Sequence, residues 1–368
     1  MGVEAQGQQD LSPSPSAVTP APEDEARPKV SRFRLRDGVQ ILGIALLLAL
    51  GLRTFVLEGF RIPSESMERS LLVGDFVLVS KLRYGPRLPR TIGIPLTDWY
   101  LKDVELPHVR LPGFAQPRRG EAVVFNYPAG NAPVDRRLHY IKRLVGLPGD
   151  SVALHGKKLY VNGVYEPPGE MMQQRWVAQT APGSIFPIDS LRALGASQIA
   201  ILEREQGQVA FEATASLAGG VASWQGVTTV APYVQARMPS PGPRVFPSGS
   251  VFSRDHYGPV YVPARGDTLT LSAATWPLYR DLIQRYEHHQ AQMVTGDRFL
   301  IDSVETKHYV VGQDYYFVLG DNRDSSIDSR AWGFVPKDHL VGKAVVIYFS
   351  WDAVERKVRL DRLLTKIR

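Results

Sequence analysis

Residues 74–79 read Gly74-Asp75-Phe76-Val77-Leu78-Val79, a glycine–aspartate turn followed by aromatic and β-branched residues. Such residues suit a pleated, half-buried surface, and the turn pair ahead of them marks where a strand begins. The same grammar returns at Ala122-Val123-Val124-Phe125, from Tyr140 to Val145, from Tyr315 to Leu319 and from Ala344 to Phe349. Turn residues bound these runs, as at Pro148-Gly149-Asp150 and Gly320-Asp321-Asn322. The pattern predicts a mainly β fold with an antiparallel core. One segment has helical periodicity instead: Leu278, Tyr279, Leu282, Ile283 and Tyr286 predict a helix over 276–290 behind a Thr275 cap.

Working outward, composition divides the chain. Between 168 and 294 it shifts to Ala, Gly, Ser and Pro, which predicts an inserted α/β or β-rich cap domain between core segments 58–167 and 295–351. The segment 86–118 reads as a β extension. Its Trp99, Tyr100, Leu111 and Phe114 suit either a bilayer interface or a hairpin core. The last seventeen residues, 352–368, are basic and amphipathic. Arg356, Lys357, Arg359, Arg362, Lys366 and Arg368 stand among valines and leucines, as on a solvated helix face or one that meets anionic lipid.

Upstream of the first strand, Ile41 to Leu52 is uninterrupted and apolar, and Gly38 to Leu57 reaches twenty residues if Arg53 snorkels. A membrane anchor over 38–57 is expected. A cleavable signal is the rival reading, because Ala49-Leu50-Gly51 has small residues at a cleavage spacing. The apolar pattern continues past them, however, and a thirty-residue polar extension comes first. Residues 1–37 read as a disordered tail with five prolines before residue 30, ending in the cluster Arg27, Lys29, Arg32, Arg34 and Arg36. Cations before the span and none just after it place the N-terminus in the cytoplasm and the remainder outside.

The 368 residues are 44% apolar and 22% charged with a net charge of +6, which excludes wholesale disorder and polytopic transport. There are no cysteines, so disulfides, thiolate nucleophiles and cysteine-ligated zinc are ruled out. No phosphate-binding glycine loop, dinucleotide fingerprint, zinc-protease helix or Gly-x-Ser-x-Gly elbow is present, and the adjacent His288 and His289 cannot share one helical metal face. The expectation is chemistry without metal or cofactor.

Three polar elements interrupt this β pattern. Ser64 and Ser66 stand two apart behind Pro63, which favours extended geometry before it; one hydroxyl can attack while the other, beside a backbone N–H, holds an oxyanion. In Leu138-His139-Tyr140-Ile141-Lys142-Arg143-Leu144, strand alternation puts Lys142 on the face of Leu138, Tyr140 and Leu144. An amine there either snorkels or sheds its proton. Falling two or three units from ~10.4 costs about 3–4 kcal/mol of destabilised charge. The third element, Gly320 to Arg330, packs Asp321, Asp324 and Asp328 close to Arg323 and Arg330, with Arg143 as a further partner and Ser326 able to orient an amine.

In this order, Ser64-Glu65-Ser66-Met67 after an N-terminal anchor, Tyr140-Ile141-Lys142-Arg143 and Gly320-Asp321-Asn322-Arg323-Asp324-Ser325-Ser326-Ile327-Asp328-Ser329-Arg330 resemble the type I signal peptidases of bacteria. Residues 74–79 with Lys81 and Tyr84-Gly85, Arg119-Gly120-Glu121 and Val145 to Asp150 extend the match to about a quarter of the chain. The resemblance implies a serine–lysine endopeptidase on an antiparallel scaffold, cutting exported preproteins after a small-x-small motif. By it, Ser66 is the nucleophile and Lys142 the general base, and Ser64 with the Ser66 N–H forms the oxyanion hole. Ser326 orients the lysine, Asp328 and Arg330 order their loop, and Arg143 pairs with Asp321. Phe60, Ile62, Met67, Leu71, Tyr140 and Ile141 match positions that line pockets for alanine-like side chains. Glu65 stands where the family has glycine, Arg69-Ser70 where it has Pro-Thr, and His139 where aspartate is common. The implied partners are preproteins and an anionic phospholipid surface of the bacterial inner membrane; no nucleic acid is expected, and the chain is expected to act as a monomer.

A self-cleaving serine–lysine repressor shares this chemistry, but residues 1–60 offer no DNA-reading helix pair. A membrane-tethered binding protein on the same scaffold is the remaining alternative, and a cleavage assay separates the two.

Overall fold

The structure, a computed structural model, describes residues 35–94, 97, 99–203, 207–235 and 245–367. Most of the expected N-terminal tail, with Arg27, Lys29, Arg32 and Arg34, and the terminal Arg368 lie outside the described residues. The first element is the helix Leu35–Phe55, 21 residues. At 1.5 Å per residue it is about 31 Å long, the depth of a bilayer's hydrocarbon core. Its window Gly38–Phe55 has a mean hydropathy of 1.8, and none of it is buried against protein. The helix stops two residues before the expected end at Leu57, because Leu57–Arg61 is already a strand.

Every sequence run read as a strand is one. Among the described residues the largest sheet has nine strands, all antiparallel. Its spine runs Leu57–Arg61, Asp75–Ser80, Leu340–Asp352, Ala122–Asn126, His139–Gly146, Tyr315–Leu319 and Val335–Pro336. His139–Gly146 is therefore central, with Val123 opposite Lys142 on one side and Leu319 opposite Arg143 on the other. Both faces of this region are covered. Ile141 packs with Ile62, Met67, Val77 and Val124, whereas Leu144 packs with Phe125, Val318 and Trp332.

Within 168–294, residues 173–232 form a separate four-stranded sheet, ordered Ser197–Glu203, Gln208–Thr214, Gln173–Thr180, Val227–Pro232, with the helices Ile188–Ala193 and Ala215–Ala222. Its own core holds Phe186, Leu191, Phe211 and Val221. The later part behaves differently: Tyr257–Tyr261 pairs with Ser151–His155, and Tyr257, Leu282 and Ile283 share a core with Val152, Phe299 and Phe317.

Three local expectations need correction. The helix near 276–290 is shorter, an α turn Trp276–Asp281 continued by a π turn Leu282–Tyr286. Thr275 does not cap it, since its own backbone is already helical and its hydroxyl donates back to the Thr270 carbonyl. Among the described residues of 352–368 there is no α-helix either, only a 3-10 turn Leu360–Arg362. Lys357–Val358 and Thr365–Lys366 fold back onto Leu340–Asp352, and Arg362 meets the buried carboxylate of Asp75 at 2.6 Å. Leucines and arginines mixed at this density satisfy a sheet edge as readily as a helix face. In the 86–118 extension, a hairpin of Thr91–Gly93 and Tyr100–Glu105, the apolar side chains Ile94, Trp99, Leu111 and Phe114 are exposed and do not form a hairpin core.

Candidate active site

Ser64 is extended, with φ −138° and ψ 158°, and Glu65–Met67 turns as a 3-10 helix. The two serines are thus not on one extended face as Pro63 suggested. The turn still brings their hydroxyls together, with the two Oγ atoms 3.4 Å apart. Ser64 is exposed, and Ser66 is 8% exposed.

Lys142 is 2% exposed. From the central strand its Nζ reaches Ser66 Oγ at 2.6 Å and the Ile141 carbonyl at 3.0 Å. Its Nζ lies 5.5 Å from the centre of the Tyr140 ring. Burial pushes this amine down to about 8; Asp328 and Asp321 oppose the shift without cancelling it.

The loop 320–330 closes over this pair. Gly320 is required by close approach, because a Cβ there would lie 2.2 Å from Ser326 Oγ and 2.6 Å from the Ser66 carbonyl. Asn322 N donates to the same carbonyl at 3.1 Å, fixing the Ser66 turn against the loop. Asp328 and Arg330, both buried, pair at 2.8 Å, and Asp328 also accepts from Gly320 N at 3.0 Å. Burial alone would raise Asp328, but the Arg330 guanidinium outweighs it and holds the carboxyl near about 2. Arg143 grips Asp321 with Nε at 3.1 Å and Nη2 at 2.5 Å. Asp324 takes Lys157 and the Arg175 N–H as partners, not an arginine side chain.

Two implied roles are not met. Ser326 Oγ is buried without a hydrogen-bond partner and does not touch Lys142 through one. Met67 and Leu71 are wholly buried in the core under the nucleophile turn, where Met67 sulfur accepts from Asp321 N, so neither lines the cleft. For Met67 the 3-10 turn explains it, since it carries Met67 into the core as Ser66 turns toward Lys142 and the cleft.

Beside the Ser66–Lys142 pair lies a cleft of about 400 Å³. Phe60, Ile62, Tyr140 and Ile141 line it. Val77, Val124 and Ile327 join them, and sequence reasoning missed these. The alternation of 74–79 and 122–125 contained the signal for the two valines, Val124 opposite Ile141 on the neighbouring strand and Val77 three strands over. The cleft wall is aliphatic and aromatic, with the serine hydroxyls and one amine as its polar groups next to the reacting position.

Comparison with known proteins gives this arrangement a lineage. A family model described as signal peptidase, peptidase S26, matches residues 35–203 and 262–351, about seven-tenths of the chain. A signal peptidase I of Buchnera aphidicola is 27% identical over 85% of this chain and 76% of its own length. One from Pseudomonas aeruginosa is 27% identical over 83% and 69%, and one from Aquifex aeolicus is 26% identical over 86% and 85%. The matched segments contain the Ser64–Met67 turn, the strand that holds Lys142 and the 320–330 loop, and the chain belongs to the signal peptidase family, peptidase S26.

Proposed function

We propose that this chain is a membrane-anchored signal peptidase I that releases exported preproteins by cutting after a small-x-small motif. Ser66 Oγ attacks the scissile carbonyl as neutral Lys142 Nζ takes its proton. The Ser64 hydroxyl and Ser66 N–H hold the oxyanion. The protonated lysine gives its proton to the leaving amine, and after water enters, the same amine activates it to hydrolyse the acyl-enzyme. No cofactor takes part. The observation that carries this reading is the 2.6 Å contact between Ser66 and an amine whose basicity burial has reduced.

The cleft supports the substrate side: the wall formed by Ile62, Val77, Val124 and Ile141 favours apolar side chains. Ser66 is eleven residues on from Phe55, where the helix ends, so the nucleophile stays within roughly 40 Å of the helix end even when extended. A preprotein whose cut site emerges just beyond its own apolar helix is then within reach. With the basic cluster ahead of the span, the N-terminus is cytoplasmic and the catalytic unit lies on the outer side of the bacterial inner membrane.

Digestion of a labelled preprotein by the purified full chain tests the proposal. Wild type is expected to give one mature N-terminus after a small-x-small sequence, with Ser66→Ala giving none. Equal cleavage by both would remove Ser66 from the chemistry.

A further inference from the structure

We propose that a second cavity, at the membrane end of the catalytic unit, binds the phosphodiester headgroup of an anionic phospholipid. The cavity is about 280 Å³ and is lined by Arg53 and Thr54 from the last turn of the apolar helix together with Lys81, Arg87, Arg90 and Arg136. Five cations therefore face two carboxylates, Glu58 and Asp135.

Those carboxylates are already committed. Glu58 is shared by Arg53 at 3.1 Å and Lys81 at 2.8 Å. Asp135 Oδ2 accepts from Arg90 N, Thr91 N and Thr91 Oγ1. Among the described residues, Arg87 and Arg136 hydrogen-bond neutral acceptors only: Arg87 bonds the Asp338 carbonyl and Asn126 Oδ1, and Arg136 bonds Thr91 Oγ1 and the Thr97 carbonyl. Arg90 spends one nitrogen on Glu105, yet its Nε is buried without a partner. Burial and the nearby Arg110 guanidinium push Arg87 down to about 10 against the opposing pull of Asp338, Asp135 and Glu58, and a bound anion would add to that pull. A phosphodiester matches this fork geometry through paired N–H donors.

Two features favour a lipid over a free anion. In the strand Thr91–Gly93, alternation turns Thr91 and Gly93 into the cavity and leaves Ile92 exposed. Ile94 and Trp99 are exposed beside it, so acyl chains leaving a bound headgroup would meet an apolar surface. Asp135 Oδ1 is buried with no partner. It repels phosphate but can accept from a headgroup hydroxyl, which points to a glycerol-type headgroup.

The test uses the full chain in non-ionic detergent at low salt, titrated with short-chain phosphatidylglycerol, phosphatidylcholine of the same chain length, and inorganic phosphate, with binding followed by calorimetry. Phosphatidylglycerol is expected to bind about tenfold more tightly than phosphatidylcholine, as befits roughly one net charge in a partly screened site. Arg136→Gln and, at the exposed helix end, Arg53→Gln should each weaken it at least threefold and shrink the preference. Arg119→Gln, outside the cavity, should leave it unchanged. Melting of each unliganded variant reports its fold, and Arg53→Gln remains decisive if Arg136→Gln fails to fold. Equal affinity for the two lipids, or a preference that survives both cavity substitutions, would overturn the proposal. Inorganic phosphate binding as tightly as phosphatidylglycerol would overturn the lipid assignment. Because cleavage is not read, this result is independent of the proposed peptidase activity.

Discussion

Gln198 donates from Nε2 to Glu65 Oε2 at 3.1 Å, tying the edge strand of the 173–232 sheet to the residue between the two serines. The contact is not isolated. Arg69 donates to the Gly195 and Leu194 carbonyls, and Glu68 accepts from Ser197 Oγ at 3.3 Å and Gln173 Nε2 at 3.1 Å. Glu65 and Arg69 are two of the places where this chain departs from its family's pattern, and both departures have partners in the inserted sheet. Arg69 also sits at φ +73°, where a side chain is strained and glycine is not. Arg69→Ala should lose the contact and keep the strain, whereas Arg69→Gly loses both. Thermal unfolding should therefore rank wild type highest, then Arg69→Gly, then Arg69→Ala, with about 1 kcal/mol between the last two. An alanine variant melting above the glycine variant would refute the account.

Turnover should follow the protonation of Lys142. The amine is pushed down to about 8 by burial, so kcat/KM should rise about tenfold per pH unit below that value and level off above it. The same shift links to stability. A lysine harder to protonate when folded penalises the folded state at low pH, and the penalty fades between about pH 8 and the unfolded value near 10.5. Lys142→Met should abolish cleavage and flatten that slope. A rate limb near 10.4 would place the amine in water.

Ser64→Ala isolates the oxyanion hydroxyl. The side chain is exposed and makes no helix-capping bond, so melting should shift little. Removing one oxyanion donor typically costs 10²–10³ in kcat, and a loss in about that range is expected. A loss below about fivefold would put the hydroxyl outside the hole.

Met67 and Ile141 separate core from cleft. Met67→Ala should cost about 2–5 kcal/mol of stability, as for a large side chain removed from a packed core, without altering which small residue is accepted at the cut site. Ile141→Ala should widen the cleft and admit larger side chains, read by competing substrates with Ala or Leu before the scissile bond.

The β core was legible because strand runs such as 74–79 and 122–125 carry their own signals: β-branched residues, period two and terminal turns. Lys142 was legible for the same reason, since alternation alone put an amine on an apolar face. What failed were inferences requiring knowledge of a turn or a distant partner. Met67 follows Ser66 directly, and only the 3-10 geometry shows that it points into the core. The C-terminal arginines looked like a helix face because nothing local reveals that Arg362 is matched to Asp75, nearly three hundred residues away. The insert's hold on the nucleophile turn was invisible for the same reason: Gln198 and Glu65 become neighbours only once both sheets have formed.

Asp328 and Arg330 give the loop over the active site its pH limit. Both are buried, and two side-chain contacts join them at 2.9 and 2.8 Å. Asp328 is held near about 2 against an unfolded value of 3.8. A carboxyl depressed on folding contributes stability that is present above the unfolded value and is lost as pH falls through the folded one. The window is therefore about pH 4 down to 2, and the contribution is on the order of 2 kcal/mol. Asp328→Asn should remove that slope in acid unfolding curves. It should also leave Arg330 buried beside a neutral amide, at a cost of about 3–5 kcal/mol at neutral pH. Arg330→Met with Asp328→Leu, which removes both charges, should recover much of that stability but not the order of the loop, because Gly320 N would lose its Asp328 acceptor. Cleavage should stay low in the double variant although it folds. Full activity there would show that the ion pair serves folding alone and has no part in holding the 320–330 loop against Ser66 and Lys142.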